Sequence, residues 1–282
     1  VQDVIDASPV AAFQFVSAHA NLLDALKLLG KDRFHRVIIT DDKQHMKNIL
    51  TQSAMLAYLS DKVKSDPAFK AFADRSIAEL GMGKEQLVVG IPMTHKAVDA
   101  FHLIHAHRVT GVPIVDKHGS LVGNISARDI RSMVGSPDKF DRLFDSISEF
   151  LSQIQQDRSE KKTSTKSTKA TPSSPFAKKA PAPVTTVPEE VHTTSANPNW
   201  SLPSAVTVTT NDSLAYVLQL LVQHRIHRVY IVKGCLAEDG SPVKKPIGVV
   251  TLTDIMHVFT EGVLKNSNEH VAADANINYS KQ

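Results

Sequence analysis

A hydroxyl residue followed three positions later by an aspartate occurs at two places where an apolar run ends. The first pair is Ser126 with Asp129, and the second is Thr251 with Asp254. Such a hydroxyl can cap a helix, and an acidic side chain in the first turn suits the helix dipole. The same arrangement could also do chemistry, because a helix N-terminus binds phosphate and a nearby carboxylate can accept both hydroxyls of a ribose. Both interpretations, a structural cap and a nucleotide site, stay open at this point.

Two His-Arg pairs each stand directly before a β-rich run, and they are the second set of residues with useful chemistry. Arginine is a permanent cation whose forked donors suit phosphate, and histidine can donate to the same group. The equivalent place between the two pairs holds Thr110-Gly111, which offers no charge. The candidate phosphate ligands are His35, Arg36, His227 and Arg228.

These candidates occupy equivalent positions in an internal repeat that occurs three times, starting at Asn21, Lys96 and Ser213. Each copy begins with apolar residues at helical spacing, followed by a β-rich run, a polar turn, a second β-rich run and a hydroxyl residue that opens a second helix. The histidine position precedes that hydroxyl by 16 residues in the first two copies and by 24 in the third. The excess falls in the turn, which we expect to be longer in the third copy, over 233–246. Strands that alternate with helices in this way predict an α/β unit.

The composition argues against several classes of protein. The chain has 282 residues, a net charge of +3 and a single cysteine, Cys235. One cysteine cannot form a disulfide framework or a cysteine-based zinc site within the chain. The histidines at 102, 105 and 107 lack a carboxylate or cysteine to complete a ligand set, so we expect no metal. We expect neither a membrane nor nucleic acid as a partner, because no run of about 18 apolar residues, no signal peptide and no strong basic charge is present.

One segment, from 156 to 199, differs in composition from the rest of the chain. Serine, threonine, lysine, proline and alanine dominate it, and basic residues outnumber acidic ones. Such a segment cannot bury enough apolar surface to offset its ordering entropy, so we expect a disordered linker. The predicted boundaries are 1–62 for the first repeat, 63–155 for the second, 156–199 for the linker, 200–265 for the third repeat and 266–282 for a tail.

The order of helix, strand, turn, strand and Ser/Thr-x-x-Asp resembles the cystathionine-β-synthase (CBS) domain. The second copy, HRVTGVPIVDKHGSLVGNISARDI, and the third, IHRVYIV followed by IGVVTLTDI, carry the resemblance. It implies small β-sheets flanked by helices, in tandem repeats that pair into Bateman-type modules by packing their sheets together. Since three repeats leave one unpaired, we expect a fourth repeat upstream of Val1. In this family the aspartate contacts the ribose of a bound adenosine compound, which implies that role for Asp129 and Asp254, beside Ser126 and Thr251.

Finer details resemble the gamma subunit of AMP-activated protein kinase and its SNF1-type relatives, as well as a yeast cell-cycle and stress protein family. In the gamma subunits the second of four repeats lacks the ribose aspartate, and the second and fourth carry a His-Arg pair. Our three copies match the second to fourth in that order, and Ala54 stands where the first copy would have the aspartate. The resemblance implies phosphate binding by the two His-Arg pairs. Ser53, which replaces the family's phosphate-binding lysine, and the long basic linker depart from the pattern.

We therefore expect a regulatory CBS-domain protein that senses AMP, ADP and ATP and makes or breaks no bond, so it is not an enzyme. The resemblance implies a gamma-type subunit in the cytoplasm or nucleus, with a kinase catalytic subunit and a scaffold subunit as partners. No cofactor is expected besides the regulatory nucleotide. Two alternatives remain: an interaction scaffold with degenerate pockets, and a regulatory module for another adenosyl ligand such as S-adenosylmethionine.

Overall fold

The computed structural model describes residues 14–83, 88–133, 136–164 and 205–262 of the chain. The chain divides into two compact units, Val1–Val88 with Val206–Gln282, and Val89–Ala205. The first unit contains the first and third repeats, and the second unit contains the second repeat. The repeats are called repeat 1, repeat 2 and repeat 3 below.

Repeat 1 is a three-stranded mixed sheet with helices on one face. Strand β1 runs parallel to β2, and β2 runs antiparallel to β3. Asn21 caps the first helix by accepting from the Asp24 amide, and Thr51 caps the second by accepting from the Ala54 amide, so polar side chains mark both helix starts. The elements are β1 (Phe15–Ser17), α1 (Leu22–Gly30), β2 (Arg36–Thr40), β3 (Met46–Thr51), α2 (Gln52–Ser65) and α3 (Pro67–Ala73).

Repeat 2 has the same sheet but ends differently. Ser126 does not open an α-helix as the pattern predicts; a four-residue 3₁₀ helix follows it instead. The elements are β4 (Ile91–Pro92), α4 (Ala97–Ala106), β5 (Gly111–Val115), β6 (Leu121–Ser126), two 3₁₀ helices (Asp129–Ser132 and Pro137–Phe144) and α5 (Ile147–Ser164).

Helix α5 overlaps the segment that the composition marks as a linker. It continues through Ser164, so residues 156–164 are helical. The physical reason is tertiary packing: Phe150, Leu151 and Ile154 are buried in the core of repeat 2 and anchor the first turns of the helix. Residues 165–199, the rest of the predicted linker, lie outside the described residues, as does the predicted tail at 266–282.

Repeat 3 repeats the pattern of repeat 1 with longer strands. The inserted residues at 233–246 do not form a long irregular turn, because the two strands extend into a hairpin whose last pair is Leu236 with Pro242. Thr251 ends β9 and is followed directly by a helix, as predicted. The elements are β7 (Thr207–Val208), α6 (Leu214–His224), β8 (Arg228–Leu236), β9 (Pro242–Thr251) and a final helix, α7, over 252–262.

Repeats 1 and 3 share one hydrophobic core, and they meet through helices rather than through their sheets. The end of α1 lies so close to α7 that a Cβ atom on Gly30 would stand 2.6 Å from the backbone nitrogen of His257. The Phe72 ring packs on Phe259, with ring centroids 5.3 Å apart. The resemblance to the CBS family predicts that repeats pair by packing their sheets together. It did not predict this contact between the helices of repeats 1 and 3.

Two short connectors with the pattern Ser-Ile-x-Glu bring the chain to the start of a repeat. In each, the serine amide donates to the glutamate and the glutamate amide donates back to the serine hydroxyl, at Ser76 with Glu79 and at Ser146 with Glu149. The amide of Ser76 and the hydroxyl of Ser146 are the leading causes that lower the pKa of the respective glutamate. The serines form isolated antiparallel bridges, Ser76 with Ser213 and Ser146 with Lys96, so the same device fixes the start of α6 and of α4.

The sheet of repeat 1 has one buried and one exposed face. Val37 is fully buried on the helix side, whereas the outer row joins Phe15, Ile38 and Ile49 across the three strands. Phe15 is 60% exposed and Ile49 is 47% exposed. In repeat 3 the residue equivalent to Ile38 is Tyr230, which is only 3% exposed. The two sheets therefore use their outer faces differently.

Candidate nucleotide site

The strand register places each candidate cation beside the strand-end hydroxyl of its own repeat. In every repeat the residue at the arginine position lies directly across the antiparallel ladder from that hydroxyl. The facing pairs are Arg36 with Thr51, Gly111 with Ser126, and Arg228 with Thr251. A second contact recurs just outside the ladder, where the carbonyl at the histidine position accepts the amide after the hydroxyl, as His227 does from Leu252 at 3.3 Å. The backbone thus brings the two sequence-predicted sets together in one place.

Repeat 3 assembles the full set of candidates at the start of α7. Asp254 Oδ2 accepts the Thr251 amide at 2.8 Å and the Thr251 hydroxyl at 2.7 Å, so the carboxylate is held in one orientation. Asp254 is exposed, and its second oxygen, Oδ1, has no hydrogen-bond partner among the described residues. His227 is exposed and Arg228 is half-buried. A fixed carboxylate and two basic side chains therefore share the end of one sheet.

Repeat 2 has the hydroxyl and the carboxylate without the cations. Asp129 Oδ2 accepts the Ser126 amide at 2.9 Å and the Ser126 hydroxyl at 2.8 Å, which is the geometry of repeat 3. Thr110 and Gly111 stand where repeat 3 has His227 and Arg228. The 3₁₀ helix after Ser126 is also only four residues long. It lacks the aligned peptide dipoles that would make a helix N-terminus attractive to phosphate.

Repeat 1 has the cations without the carboxylate. His35 and Arg36 are both exposed, and Ala54 leaves Thr51 to cap α2 alone, at 3.1 Å from the Ala54 amide. The sequence analysis anticipates both features. Repeat 1 on its own can therefore contact phosphate but offers no carboxylate for a ribose at this position.

A buried glutamine that the sequence analysis missed joins the site ends of repeats 1 and 3. Gln52 is 4% exposed, and its Nε2 donates to the Leu29 carbonyl and to the Thr253 hydroxyl, both at 2.9 Å. Its Oε1 lies 3.3 Å from Nδ1 of His35. The signal in the sequence was weak: a polar residue in repeat 1 takes the place that a buried leucine, Leu252, takes in repeat 3.

A second missed residue, Tyr230, holds Arg228. Burial raises the pKa of Tyr230 to about 12, against the opposing effects of the positive charge of Arg228 and a hydrogen bond from it. Tyr230 follows Arg228 by two positions, so both side chains lie on the same face of β8. Ile38 and Pro113 occupy the equivalent positions in the other repeats, so repeat 3 alone has this anchor.

Neither a metal site nor a membrane-spanning helix is found in the described part of the chain. There, no group of three or more His, Cys, Asp or Glu side chains is arranged to hold a metal ion. The histidines at 102, 105 and 107 are all exposed. None of the helices in the described ranges combines the length and the apolar character needed to cross a membrane.

Three stretches of the chain, 1–61, 88–136 and 201–261, match the family model of the CBS domain. Together they make up more than half of the sequence. The chain belongs to the CBS-domain family. Its small mixed sheets with flanking helices, repeated three times, confirm the fold class that the repeats predict.

Relatives of this CBS-domain chain include yeast proteins named SDS23. The one from Vanderwaltozyma polyspora is 28% identical over 169 residues, which cover 56% of this chain and 32% of that protein. The one from Kluyveromyces lactis is 25% identical over 272 residues, which cover 91% of this chain and 45% of that protein. The chain thus spans less than half of the length of each of these relatives.

Among solved structures, the fold is similar to that of a Methanocaldococcus jannaschii protein described as a proposed archaeal homolog of g-AMPK. The TM-score is 0.52 at 14% sequence identity, and the match covers 89% of this chain and 68% of that protein. At this identity the likeness concerns the fold alone.

Proposed function

We propose that this chain is a regulatory module that binds an adenine nucleotide, with its principal site at the end of repeat 3. The observation that carries the proposal is the arrangement of Asp254, Thr251 and Arg228. The oriented carboxylate keeps one oxygen without a partner among the described residues, which suits the hydroxyls of a ribose. Arg228, directly across the ladder, and His227 supply cationic and hydrogen-bonding groups for the phosphates.

The other two repeats would contribute incomplete sites. Asp129 and Ser126 of repeat 2 provide a second carboxylate–hydroxyl pair for a ribose, and His35 and Arg36 of repeat 1 provide donors for a phosphate chain. AMP, ADP and ATP differ in the negative charge that they bring to these residues. A ligand shifts a conformational equilibrium by its difference in affinity for the two states, so sensing requires that the added phosphate charge favours one state over the other. No catalytic group, metal or cofactor is required.

The finer proposal is that the module acts as a gamma-type subunit of an SNF1-like kinase, with a catalytic and a scaffold subunit as partners in the cytoplasm or nucleus. It rests on the His-Arg pairs of repeats 1 and 3 and on the missing aspartate at Ala54, which match the gamma-subunit pattern. The relatives described above carry the name SDS23 rather than a kinase-subunit name, so this assignment depends on the site residues of the chain itself.

One set of observations favours a different function, an interaction scaffold. Repeat 1 lacks the carboxylate, and Ser53 stands at the place of the family's lysine. Repeat 2 lacks the cations, with Thr110 and Gly111 in their place. If repeat 3 does not bind nucleotides either, the scaffold is the favoured function. If it binds S-adenosylmethionine in preference to phosphorylated ligands, it is a regulatory module for another adenosyl compound.

Isothermal titration calorimetry of the full chain with AMP, ADP, ATP and S-adenosylmethionine separates these functions. The sharpest variant is Asp254→Ala, and the chain offers a matched control in Asp212→Ala. Asp212 Oδ2 accepts the amide and the hydroxyl of Thr209, the same Thr-x-x-Asp contact placed just after β7 instead of at the end of β9. Each variant loses the same pair of hydrogen bonds, from a threonine amide and a threonine hydroxyl, so both should lose a similar free energy of unfolding, about 1 kcal/mol. Only Asp254→Ala also removes the proposed ribose contact.

We expect Asp254→Ala to weaken nucleotide binding by about 10- to 100-fold, because a hydrogen bond to a charged group contributes about 1.5–3 kcal/mol. Asp212→Ala should leave the affinity unchanged, and Asp129→Ala should reduce the number of sites or affect a weaker one. Equal affinities for the wild type, Asp254→Ala and Asp212→Ala would contradict the proposal, and an absence of heat with all four ligands would contradict it too and favour the scaffold.

A further inference from the structure

We infer that Gln52 is a positioning residue that couples the site ends of repeats 1 and 3: it selects the ring nitrogen that His35 turns outward and ties that ring to Thr253. The inference deepens the proposed function, since His35 is one of the phosphate candidates. It concerns a contact between two repeats that lie in the same compact unit.

The orientation of the Gln52 amide follows from its neighbours. The Leu29 carbonyl can only accept a hydrogen bond, so the group that faces it at 2.9 Å has to be the amide nitrogen. The same nitrogen donates to the Thr253 hydroxyl. The amide oxygen is thereby turned toward His35, where it can only accept. Nδ1 of His35 must therefore carry a hydrogen, since the partner of one ring nitrogen decides which tautomer is present.

This tautomer gives His35 a defined behaviour toward anions. With Nδ1–H bound to Gln52, the neutral ring turns a lone pair outward on Nε2. A proton added to Nε2 converts that lone pair into a donor, while the bond from Nδ1 to Gln52 is kept. Nε2 of His35 and the hydroxyl hydrogen of Thr253 have no hydrogen-bond partner among the described residues. Protonated His35 of repeat 1 and the Thr253 hydroxyl of repeat 3 can thus both donate to a phosphate, with the Gln52 amide between them.

Burial makes Gln52 a stiff connection. At 4% exposed, the amide has little access to water, so turning it over would place its oxygen against the Leu29 carbonyl and leave a buried donor unpaired. Such a loss costs about 1–3 kcal/mol. The amide therefore keeps one orientation. A displacement of the Thr253 hydroxyl moves the Gln52 amide with it, and the amide in turn moves the ring of His35.

The repeat itself supplies the test substitution. Leu252, at the position in repeat 3 that Gln52 occupies in repeat 1, is buried in the shared core. Gln52→Leu therefore installs a side chain that this position already accepts elsewhere in the fold, and it removes all three side-chain contacts of Gln52. Thr253→Val removes the far partner alone, and Thr253→Ser restores the hydroxyl.

The test is nuclear magnetic resonance of the full chain with ¹⁵N-labelled histidine, in which two-bond ring correlations report the tautomer, and His35→Asn identifies the His35 signals. We expect the neutral His35 ring of the wild type to carry its hydrogen on Nδ1. Gln52→Leu should move it toward the Nε2–H form. Thr253→Val should shift the His35 ring nitrogens, Thr253→Ser should reverse the shift, and neither change should matter in a Gln52→Leu background.

An Nε2–H tautomer in the wild type, or a ring that ignores both Gln52→Leu and Thr253→Val, would overturn the inference. These signals are measured without any nucleotide, so the inference can fail or hold independently of whether the chain binds nucleotides. If Gln52→Leu does not fold, the comparison of Thr253→Val with Thr253→Ser decides the matter by itself.

Discussion

The Arg228 guanidinium donates a hydrogen bond to the Tyr230 hydroxyl on the outer face of β8. The tyrosine is almost fully buried and the arginine is half-buried, so the phenol fixes the arginine close to Thr251. An arginine that is already oriented loses less side-chain entropy when it binds a phosphate. Tyr230 is therefore part of the architecture of the candidate site, because it orients a residue that is proposed to bind the ligand.

Replacing Tyr230 by phenylalanine should weaken binding of ATP more than binding of adenosine. The substitution keeps the buried ring and frees Arg228, so only the phosphate contacts lose an oriented partner. We expect a loss of about 2- to 10-fold for ATP by calorimetry. Equal effects on adenosine and ATP would show that Tyr230 supports the fold alone.

The same tyrosine predicts how stability changes in alkali. The pKa of Tyr230 rises from 10.0 to about 12 on folding because burial disfavours the phenolate. Between these values the unfolded chain releases the proton and the folded chain retains it, so the contribution of Tyr230 to stability is constant below pH 10 and is lost as pH rises toward 12. The loss should be on the order of 2–3 kcal/mol.

Urea unfolding of the wild type and of Tyr230→Phe across this pH range measures that loss as a difference, which removes the contribution of the lysines. The part of the slope that Tyr230 causes should be missing in Tyr230→Phe and present in Tyr216→Phe, which removes an exposed tyrosine. Identical slopes in the wild type and in Tyr230→Phe would mean that other groups are responsible.

Gly30→Ala should destabilise the contact between repeats 1 and 3. The added Cβ would stand 2.6 Å from the His257 nitrogen and 2.7 Å from the Met256 carbonyl carbon, and backbone atoms cannot move aside as a side chain could. Overpacking of this kind costs about 1–3 kcal/mol. Gly234→Ala is the control, because a Cβ there meets nothing within 4 Å. The measurement is the midpoint of chemical unfolding. Equal midpoints for Gly30→Ala and Gly234→Ala would show that α1 and α7 do not pack as described.

The two faces of the repeat 1 sheet should respond differently to substitution. Val37→Ala removes methyl groups from a fully buried position and should cost about 1–2 kcal/mol of unfolding free energy. Ile49→Thr alters a side chain that is 47% exposed and should stay within about 0.5 kcal/mol of the wild type. A large loss for Ile49→Thr would indicate that the outer face is covered in solution.

Asp157→Asn should destabilise the unit that contains repeat 2. Asp157 Oδ2 accepts from Lys139 at 2.7 Å and from Arg142 at 2.9 Å, and the three side chains are mostly buried. Replacing the carboxylate should cost about 1–2 kcal/mol, since hydrogen bonds between charged groups are stronger than neutral ones. Asp141 lies at an exposed position of the 3₁₀ helix that carries Lys139 and Arg142, so Asp141→Asn should have no effect on thermal unfolding.

The acid dependence of this contribution has a defined sign. The hydrogen bond from Lys139 is the largest cause that lowers the pKa of Asp157 below 3.8, with Arg142 adding to it. The stabilisation is therefore complete above pH 3.8 and is lost as pH falls further, through the lowered pKa of the folded state. The difference between the wild type and Asp157→Asn should shrink in that range, and a constant difference would contradict the ion pairs.

Local features of the chain could be predicted well where the pattern itself decides them. The order of strand, polar turn and strand predicted two strands in each repeat, such as β8 and β9 in repeat 3, whereas the register that sets Arg228 across from Thr251 came from the structure. Ser126 is an exception: its motif resembles that of Thr251, yet a 3₁₀ helix follows it. The helical start of the 156–199 segment is another, because its composition carries no sign of the core that Ile154 reaches.

By itself, the sequence determined that the chain has three copies of one α/β repeat, that a hydroxyl residue recurs at the end of the second strand with a carboxylate after it in two copies, and that His-Arg pairs precede the first strand in two copies. These features depend on periodicity and on short-range pairing, which neighbouring residues dictate. Only the tertiary structure decided that repeat 1 shares its core with repeat 3 rather than with its neighbour in the chain, and that Gln52 meets Thr253 about 200 residues away. That choice depends on which apolar helix faces fit each other, a property of the folded surface that no local pattern contains.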